Sequence, residues 1–411
     1  MLCGMIFCFI FYKHYGYNYQ MQVLNLTSPS NPPKFSFFDL GFRPFFLGAA
    51  LYAVVSIFIW LLVYSMGFQM PQSSISSMQW HAHEMIYGYS IAVIAGFLLT
   101  ATKNWTGIQT LNGKPLLALA CVWIAARIAL FSGQIMAAAL FDLLFTLWLS
   151  QAIVTPIVKT KQWSQLAIVV KLLLLLVTNA LFYLGAMGII EQGVNWGIYG
   201  GLYMVIGLIL MMARRVVPFF IERGVDETVT LKNSRYLDLS SLALFLIFVV
   251  LELGNISPMF SAYSAILLFI VNAIRLVNWH TPGIWKKPLL WSLYIAIWFI
   301  CVGFLLFGLS YFLDISKFIA IHALSYAGIG TITLGMMSRV GLGHSGRDVS
   351  NPPKAVGIAL GILILGAIVR VFLPLIDSSH YVLWIEISQG LWILAFLTFF
   401  ITYLPLLTKA K

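Results

Sequence analysis

Charged residues are scarce in this sequence: Asp, Glu, Lys and Arg make up 9% of its 411 residues, whereas 61% are hydrophobic. Soluble domains carry about 25% charged residues. Too few polar side chains are therefore present to cover a folded surface in water. This shortage excludes an ordinary soluble protein and indicates a protein surrounded by lipid.

Long polar interruptions and alternating apolar patterns are lacking as well. Apolar runs of about 20 residues, the length that spans a bilayer, recur from residue 44 to residue 405. Only helices and closed barrels satisfy their backbone in lipid, and continuous rather than alternating runs favour helices. We predict an all-α polytopic membrane protein, a bundle of about 12 transmembrane helices. Residues 1–40 are expected to form a partly disordered N-terminal cytoplasmic segment, and residues 41–411 a single transmembrane domain.

Cysteine is scarce, and its four occurrences lie in apolar surroundings with no C-x-x-C pair: Cys3, Cys8, Cys121 and Cys301. This excludes a disulfide framework, a zinc ribbon and the C-x-x-C-H site of covalent haem attachment.

Basic residues are lacking from every second loop between the apolar runs. The formal charge of +11 would suit a nucleic-acid partner, but of 24 basic residues only Arg127, Lys317 and Arg370 lie toward one side of the predicted bundle. An excess of Lys and Arg in short loops marks the cytoplasmic side of a membrane protein. We therefore expect a lipid bilayer and no nucleic acid as partner, with both termini cytoplasmic.

The stretch Trp80–Met85, WHAHEM, stands at the outer mouth of the second predicted span. Ionisable residues at membrane depth are rare, and by default they indicate function. On an α-helix residues i and i+3 share a face, whereas i and i+2 point about 200° apart. His81 and Glu84 are thus expected to face one partner, with Glu84 orienting the imidazole, while His83 faces away.

Other polar residues lie at the same predicted depth. His322 lies about six residues inside the tenth span, and Arg127 and Asp142 lie in the outer halves of the third and fourth. Arg127 and Asp142 are expected to pair, either as a structural ion pair or as a site that holds, for example, a haem propionate. A metal or haem role is the hypothesis for His81, His83 and His322, against interfacial capping and hydrogen bonding.

Two further motif matches lack the context that their chemistry needs. His83 and Glu84 begin an H-E-x-x-H pattern without its second histidine, so zinc peptidase chemistry is not supported. Residues 341–346 match G-x-G-x-x-G but follow a membrane helix instead of a strand, so a dinucleotide site is not supported.

Four methionines near the predicted inner ends of two spans are interpreted as packing residues rather than copper ligands: Met211, Met212, Met336 and Met337.

Over residues 40–350 the chain resembles the NnrS family of haem- and copper-containing bacterial membrane proteins. The motifs that carry the resemblance are GFRPFF (41–46), WHAHEM (80–85), GFLLT (96–100), NWTG (104–107), RVVP (215–218), PLLW (288–291), IHAL (321–324), GT (330–331), MM (336–337), Arg339 and GHSGR (343–347). The resemblance implies a twelve-helix inner-membrane protein tied to nitric oxide, with haem and copper. It also implies the matching histidines as metal ligands: His81, His83, His322 and His344.

The sequence departs from the family pattern at Tyr183, Asn272 and Tyr294, where many members have histidines. These departures leave the number of haem and copper sites open. The leading hypothesis is a membrane haem protein that binds, or reduces, nitric oxide in nitrosative stress tolerance or in the denitrification response, with Arg127 and Glu84 supporting the cofactor. The alternatives are a transporter of a metal or small anion and a signalling membrane protein without catalysis. The electron donor of a reductase is not identified by the sequence.

Overall fold

The structure, a computed structural model, describes residues 36–409 and contains twelve helices long and apolar enough to cross a membrane. They are α1 Phe42–Met66, α2 Ser77–Thr106, α3 Gly113–Phe131, α4 Ile135–Lys159, α5 Trp163–Ala186, α6 Gly193–Gly224, α7 Arg235–Leu253, α8 Pro258–Asn278, α9 Pro288–Phe312, α10 Lys317–His344, α11 Lys354–Ile376 and α12 Tyr381–Thr408. The predicted all-α polytopic fold is confirmed. Most of the predicted N-terminal segment, up to residue 35, lies outside the described residues.

The two ends of the described chain meet at one end of the bundle. The backbone N–H of Ser36 donates to the carbonyl of Thr408 at 3.3 Å, and the Arg43 guanidinium donates to the carbonyl of Leu407 at 3.0 Å. We name this the proximal end and the opposite one the distal end. The cytoplasmic location of the proximal end stays a prediction.

Local sequence signals determine where α1 ends and where α2 begins. Gly67 ends α1 in the left-handed region with φ 70°, a conformation that glycine adopts without steric cost. At the start of α2 the Ser76 hydroxyl accepts from the N–H of Gln79 at 3.2 Å, and the Gln79 side chain accepts from the N–H of Ser76 at 2.8 Å. This capping box holds the distal end of α2 in place just before its histidines.

The helices that carry the histidine motifs form the centre of the bundle. In α2, 89% of the most apolar segment is buried within the protein, and in α10 the share is 78%, compared with 22% in the peripheral α7. The Tyr89 and Thr333 hydroxyls join α2 to α10 at 2.5 Å. The polar residues of both helices therefore face protein more than lipid.

Both central helices widen into a π-helix directly after a histidine. In α2 the segment Glu84–Ser90 is π-helical and follows His83; in α10 the segment Ala323–Gly330 is π-helical and follows His322. Such segments are rare and are frequent at functional sites. Each π-segment changes the direction in which the preceding histidine points relative to the rest of its helix.

Candidate functional site

Glu84, Arg127, Asp142 and His83 form one buried charge cluster in the distal half of the bundle. Arg127 donates from Nη1 to Glu84 Oε1 at 2.6 Å and from Nη2 to Asp142 Oδ1. His83 Nδ1 lies 3.0 Å from Glu84 Oε1, and its Nε2 lies 3.6 Å from Asp142 Oδ2. All four side chains are buried. The predicted Arg127–Asp142 pair is confirmed, and Glu84 and His83 join it.

Polar residues from two more helices complete the hydrogen bonds of the charge cluster. The Tyr52 hydroxyl of α1 donates to Glu84 Oε2, and the Tyr183 hydroxyl of α5 donates to Asp142 Oδ2 at 2.5 Å. Asn179, also on α5, lies 3.0 Å from His83 Nε2 through its Oδ1. The cluster therefore ties together five consecutive helices, α1 to α5.

The prediction that Glu84 would orient His81 is wrong, because Glu84 contacts His83 instead. The prediction assumed an uninterrupted α-helix, whereas the π-segment begins at Glu84 itself. Arg127 also draws the Glu84 carboxylate toward α3 and away from His81. The two histidines still point to opposite sides of α2, as expected from their i, i+2 spacing.

The other side of α2 carries His81, and His322 lies on α10; we name these two residues the imidazole pair. His81 stacks on Trp60 of α1 with ring centroids 4.6 Å apart and an 8° angle between planes. Its Nδ1 is buried and has no hydrogen-bond partner in the described part of the chain. His322 Nδ1 lies 2.7 Å from the carbonyl of Phe318. The two imidazoles lie within electrostatic range of each other.

The Nδ1 of His322 must carry the proton, because the carbonyl of Phe318 can only accept. This tautomer leaves the lone pair of Nε2 available to a ligand or metal. An N–H bond to a carbonyl from the far ring nitrogen also fixes the orientation of a metal-binding imidazole and raises its basicity. His322 thus has the donor chemistry of a metal ligand.

Arg370 of α11 is the cation next to the imidazole pair. It lies within electrostatic range of both His81 and His322, and its side chain is 6% exposed. Its guanidinium carbon lies 5.8 Å from the centre of the Tyr381 ring, and its Nη1 has no hydrogen-bond partner. The pair and Arg370 bring α2, α10 and α11 together, with α1 and α12 beside them.

His344, the fourth predicted ligand, lies far from this pair. It is the last residue of α10, at the proximal end, where its Nε2 lies 3.4 Å from Asn104 Nδ2 and its ring lies 5.9 Å from that of Phe42. His322 belongs to the first turns of the same helix at the distal end. The structure therefore does not bring the two together, as expected from their separation.

The three positions that depart from the family pattern have hydrogen-bond roles of their own. Tyr183 belongs to the charge cluster. Asn272 accepts from Ser241 at 3.0 Å, and the Tyr294 hydroxyl donates to the carbonyl of Leu276 at 3.1 Å. The methionines named above pack against the apolar core, and Met211 lies 3.5 Å from the Lys171 amine.

A sequence model described as NnrS protein matches residues 36–411, nearly the whole chain. The chain belongs to the NnrS family. Membership links it to the response to nitric oxide and agrees with the multi-pass architecture. A comparison with curated proteins gives no match.

The donor set of this NnrS protein fits haem at the imidazole pair. Protein ligation of haem iron requires only one or two axial side chains, and histidine is a common one. His322 presents a free Nε2, and the orphaned Nδ1 of His81 faces no protein partner. Among residues 36–409, no group of three His, Cys, Asp or Glu side chains has the arrangement of a metal-ion site.

Several residues of the charge cluster and of the surroundings of the imidazole pair were not predicted from the sequence. Tyr52 and Trp60 are ordinary aromatic residues of an apolar helix, so nothing distinguishes them before folding. Asn179 did carry a signal, since it is an uncharged polar residue in the middle of the apolar run Leu166–Ala186. Arg370 was expected on the same side of the bundle as Arg127, but its neighbours could not be inferred from depth alone.

Proposed function

We propose that this NnrS protein binds haem at the distal end of α2 and α10 through His322 and His81. With that haem it binds nitric oxide as part of nitrosative stress tolerance or the denitrification response. The observation that carries the proposal is the pair itself: two imidazoles on the central helices, one fixed by the Phe318 carbonyl and one with an unpartnered Nδ1. Family membership supplies the link to nitric oxide.

The two imidazoles have different roles in this proposal. His322 would be the stronger ligand, because its bond to Phe318 holds the ring and increases its donor strength. His81, whose Nδ1 has no hydrogen-bond partner within residues 36–409, stacks on Trp60 and would be the more weakly held ligand. When bound, haem supplies an iron coordination position at which nitric oxide binds.

The charge cluster positions this site without contributing a ligand. Both ring nitrogens of His83 already face Glu84 and Asn179, and both terminal nitrogens of Arg127 are bonded to carboxylates. Ligation by His83 would require one of these bonds to break. We therefore assign His83, Glu84 and Arg127 to holding α2, which in turn places His81.

Location and partners follow from the topology. We place the protein in the bacterial inner membrane with the proximal end in the cytoplasm, so that the haem lies in the outer half of the bilayer. Nitric oxide is small and apolar, and it can reach this depth through lipid. Reduction of nitric oxide would in addition need an electron donor.

The test is the absorption spectrum of full-length protein purified in detergent from cells supplied with haem. We expect a Soret band that shifts when nitric oxide is added. His322→Ala should lose the haem, whereas His81→Ala should keep it with an altered band and faster nitric oxide binding. The matched control is His380→Ala, which changes an exposed histidine of the distal loop that pairs with Asp377 and should leave the spectrum unchanged.

Two outcomes would overturn the proposal. One is a colourless preparation without bound iron, which would favour the transport of a metal or small anion. The other is a wild-type spectrum in both His322→Ala and His81→Ala. His344→Ala separates the alternatives within the family pattern, because a haem at the proximal end would disappear with that variant.

A further inference from the structure

Arg370 is a buried cation whose counter-ion is missing from the described part of the chain. Its side chain is 6% exposed, and its Nη1 has no hydrogen-bond partner. No carboxylate of residues 36–409 forms an ion pair with it. Arg370 hydrogen-bonds the Tyr381 side chain but has no carboxylate beside it, and a buried charge without a counter-ion is destabilising. A bound anion would remove that penalty.

Arg127, the other buried arginine of the distal half discussed above, differs from Arg370 because its guanidinium is paired with carboxylates. Its terminal nitrogens are bonded to Glu84 and Asp142, one carboxylate on each side. From sequence, Arg127 was the candidate for binding a haem propionate. Both of its terminal nitrogens are already bonded to carboxylates, so they are not available to a propionate. Arg370 keeps a free donor at a comparable burial.

The packing of α10 against α11 places this free donor beside the proposed haem ligands. Gly366 of α11 has no room for a Cβ because the hydroxyl of Tyr326 on α10 occupies that space. Arg370 follows Gly366 by four residues and His322 precedes Tyr326 by four, so on these antiparallel helices both lie one turn closer to the distal end. Arg370 accordingly lies within electrostatic range of His322 and His81.

We propose that Arg370 binds a propionate of the haem held by His322 and His81. This inference rests on the proposed function. The planar guanidinium fork matches a carboxylate better than any other side chain does, and its charge-assisted bonds are strong at a site removed from water. Haem carries two propionates at one edge of its ring, so an arginine beside the axial imidazoles fixes the rotation of the ring within the site.

The experiment compares haem with its dimethyl ester, in which both propionates are neutral. Full-length protein stripped of cofactor is titrated with each compound in detergent, and the Soret band reports binding. A charge-assisted hydrogen bond contributes about 1.5–3 kcal/mol, which corresponds to roughly 10- to 100-fold in affinity. We expect wild-type protein to prefer haem to the ester by this factor. Arg370→Gln should bind both equally, and Arg370→Lys should keep part of the preference.

Arg339→Gln is the matched control, because it removes a guanidinium at the other end of α10 that lies 3.9 Å over the ring of Phe220. It should leave the preference for haem unchanged. Equal affinity of wild-type protein for haem and ester overturns the assignment of Arg370, and so does a preference that survives in Arg370→Gln. If the Gln variant does not fold, equal affinity of wild-type protein for haem and ester still overturns the assignment, and Arg370→Lys tests the residue itself.

The outcomes separate this inference from the proposed function. If wild-type protein binds neither compound, the haem proposal itself is overturned. If it binds both equally and His322→Ala abolishes both, the haem site stands and the propionate contact does not. If Arg370 holds the propionate, excess nitrite should weaken the binding of haem but not that of the ester. Nitrite that changes neither affinity would overturn the assignment of Arg370.

Discussion

His83 Nδ1 lies 3.0 Å from Oε1 of Glu84, the next residue in the chain, whereas His81 turns to the opposite side of α2 and stacks on Trp60. The helix therefore separates two groups of polar residues. One face closes a charge cluster with α3, α4 and α5, and the other presents an imidazole toward α10 and α11. A single short motif thus anchors the helix on one side and forms the candidate site on the other.

Removing Arg127 should be among the most destabilising single changes in the distal half. Arg127→Met leaves the buried carboxylates of Glu84 and Asp142 without a cation, which costs about 3–5 kcal/mol. Unfolding in mixed micelles measures the loss. The triple variant that adds Glu84→Gln and Asp142→Asn should recover most of it, because the remaining groups are neutral.

The control for this prediction is Lys317→Met. Lys317 pairs with Glu252 at the distal end, but its side chain is 46% exposed. Exposed pairs contribute about 0–1 kcal/mol. A loss as large in Lys317→Met as in Arg127→Met, or a triple variant no more stable than Arg127→Met alone, would contradict the role given to burial.

Gly88 should not tolerate alanine, because the charge cluster occupies the space beside it. A Cβ at this position would lie 2.7 Å from the Tyr52 ring and 2.9 Å from both Arg127 Nη1 and Glu84 Oε2. Overpacking of this kind costs about 1–3 kcal/mol. Gly361→Ala is the matched change in α11, where nothing lies within 4 Å, and it should be neutral or stabilising by up to about 1 kcal/mol. Thermal unfolding in detergent compares the two variants, and equal transition temperatures would refute the steric argument.

Much of the fold was accessible from sequence because hydrophobic length is a direct physical requirement of the bilayer. About twelve spans were expected, and twelve long apolar helices are found within residues 36–409. Depth was accessible for the same reason, so Arg127 and Asp142 could be paired before the structure was known. The π-segment at Glu84–Ser90 was not predicted, since the continuous apolar pattern of a membrane span does not distinguish a π-turn from an α-turn.

Missing the π-segment affected only the predicted directions of the side chains on α2. Assuming an α-helix gave the right separation of His81 from His83 but assigned Glu84 to the wrong imidazole. The same limitation hid the contact between α10 and α11, because a residue's depth says nothing about which helix lies beside it. The proximity of Arg370 to His322 therefore became apparent only in three dimensions.

The orientation in the membrane predicts which loops an impermeant thiol reagent can reach. Ser378→Cys lies in an exposed distal loop and Ser350→Cys in an exposed proximal loop. Since basic residues concentrate at the proximal end, that end is expected in the cytoplasm. In a background without native cysteines, intact cells should label position 378 at once and position 350 only after permeabilisation. The opposite pattern would invert the topology and move the haem site to the inner leaflet.

The π-segment of α10 should be necessary for His322 to reach its site. Deleting Ser325 from Ala323–Gly330 removes one residue from the widened turn and favours an α-helix. His322 would then rotate by about 100° relative to the rest of α10, because each α-helical residue turns the chain by that angle. Its imidazole would point away from His81 and Arg370.

We therefore expect the deletion variant to enter the membrane and elute as a single species, yet to lose most of its bound haem. Ser325→Ala is the control, since it removes only the hydroxyl that donates to the carbonyl of Ile321 at 2.7 Å and keeps the register. It should retain the wild-type Soret band. Full haem content in the deletion variant would mean that α10 re-forms the wide turn elsewhere, or that His322 is not the ligand. His322→Ala in the deletion background distinguishes these, because it removes the haem only if His322 still binds it.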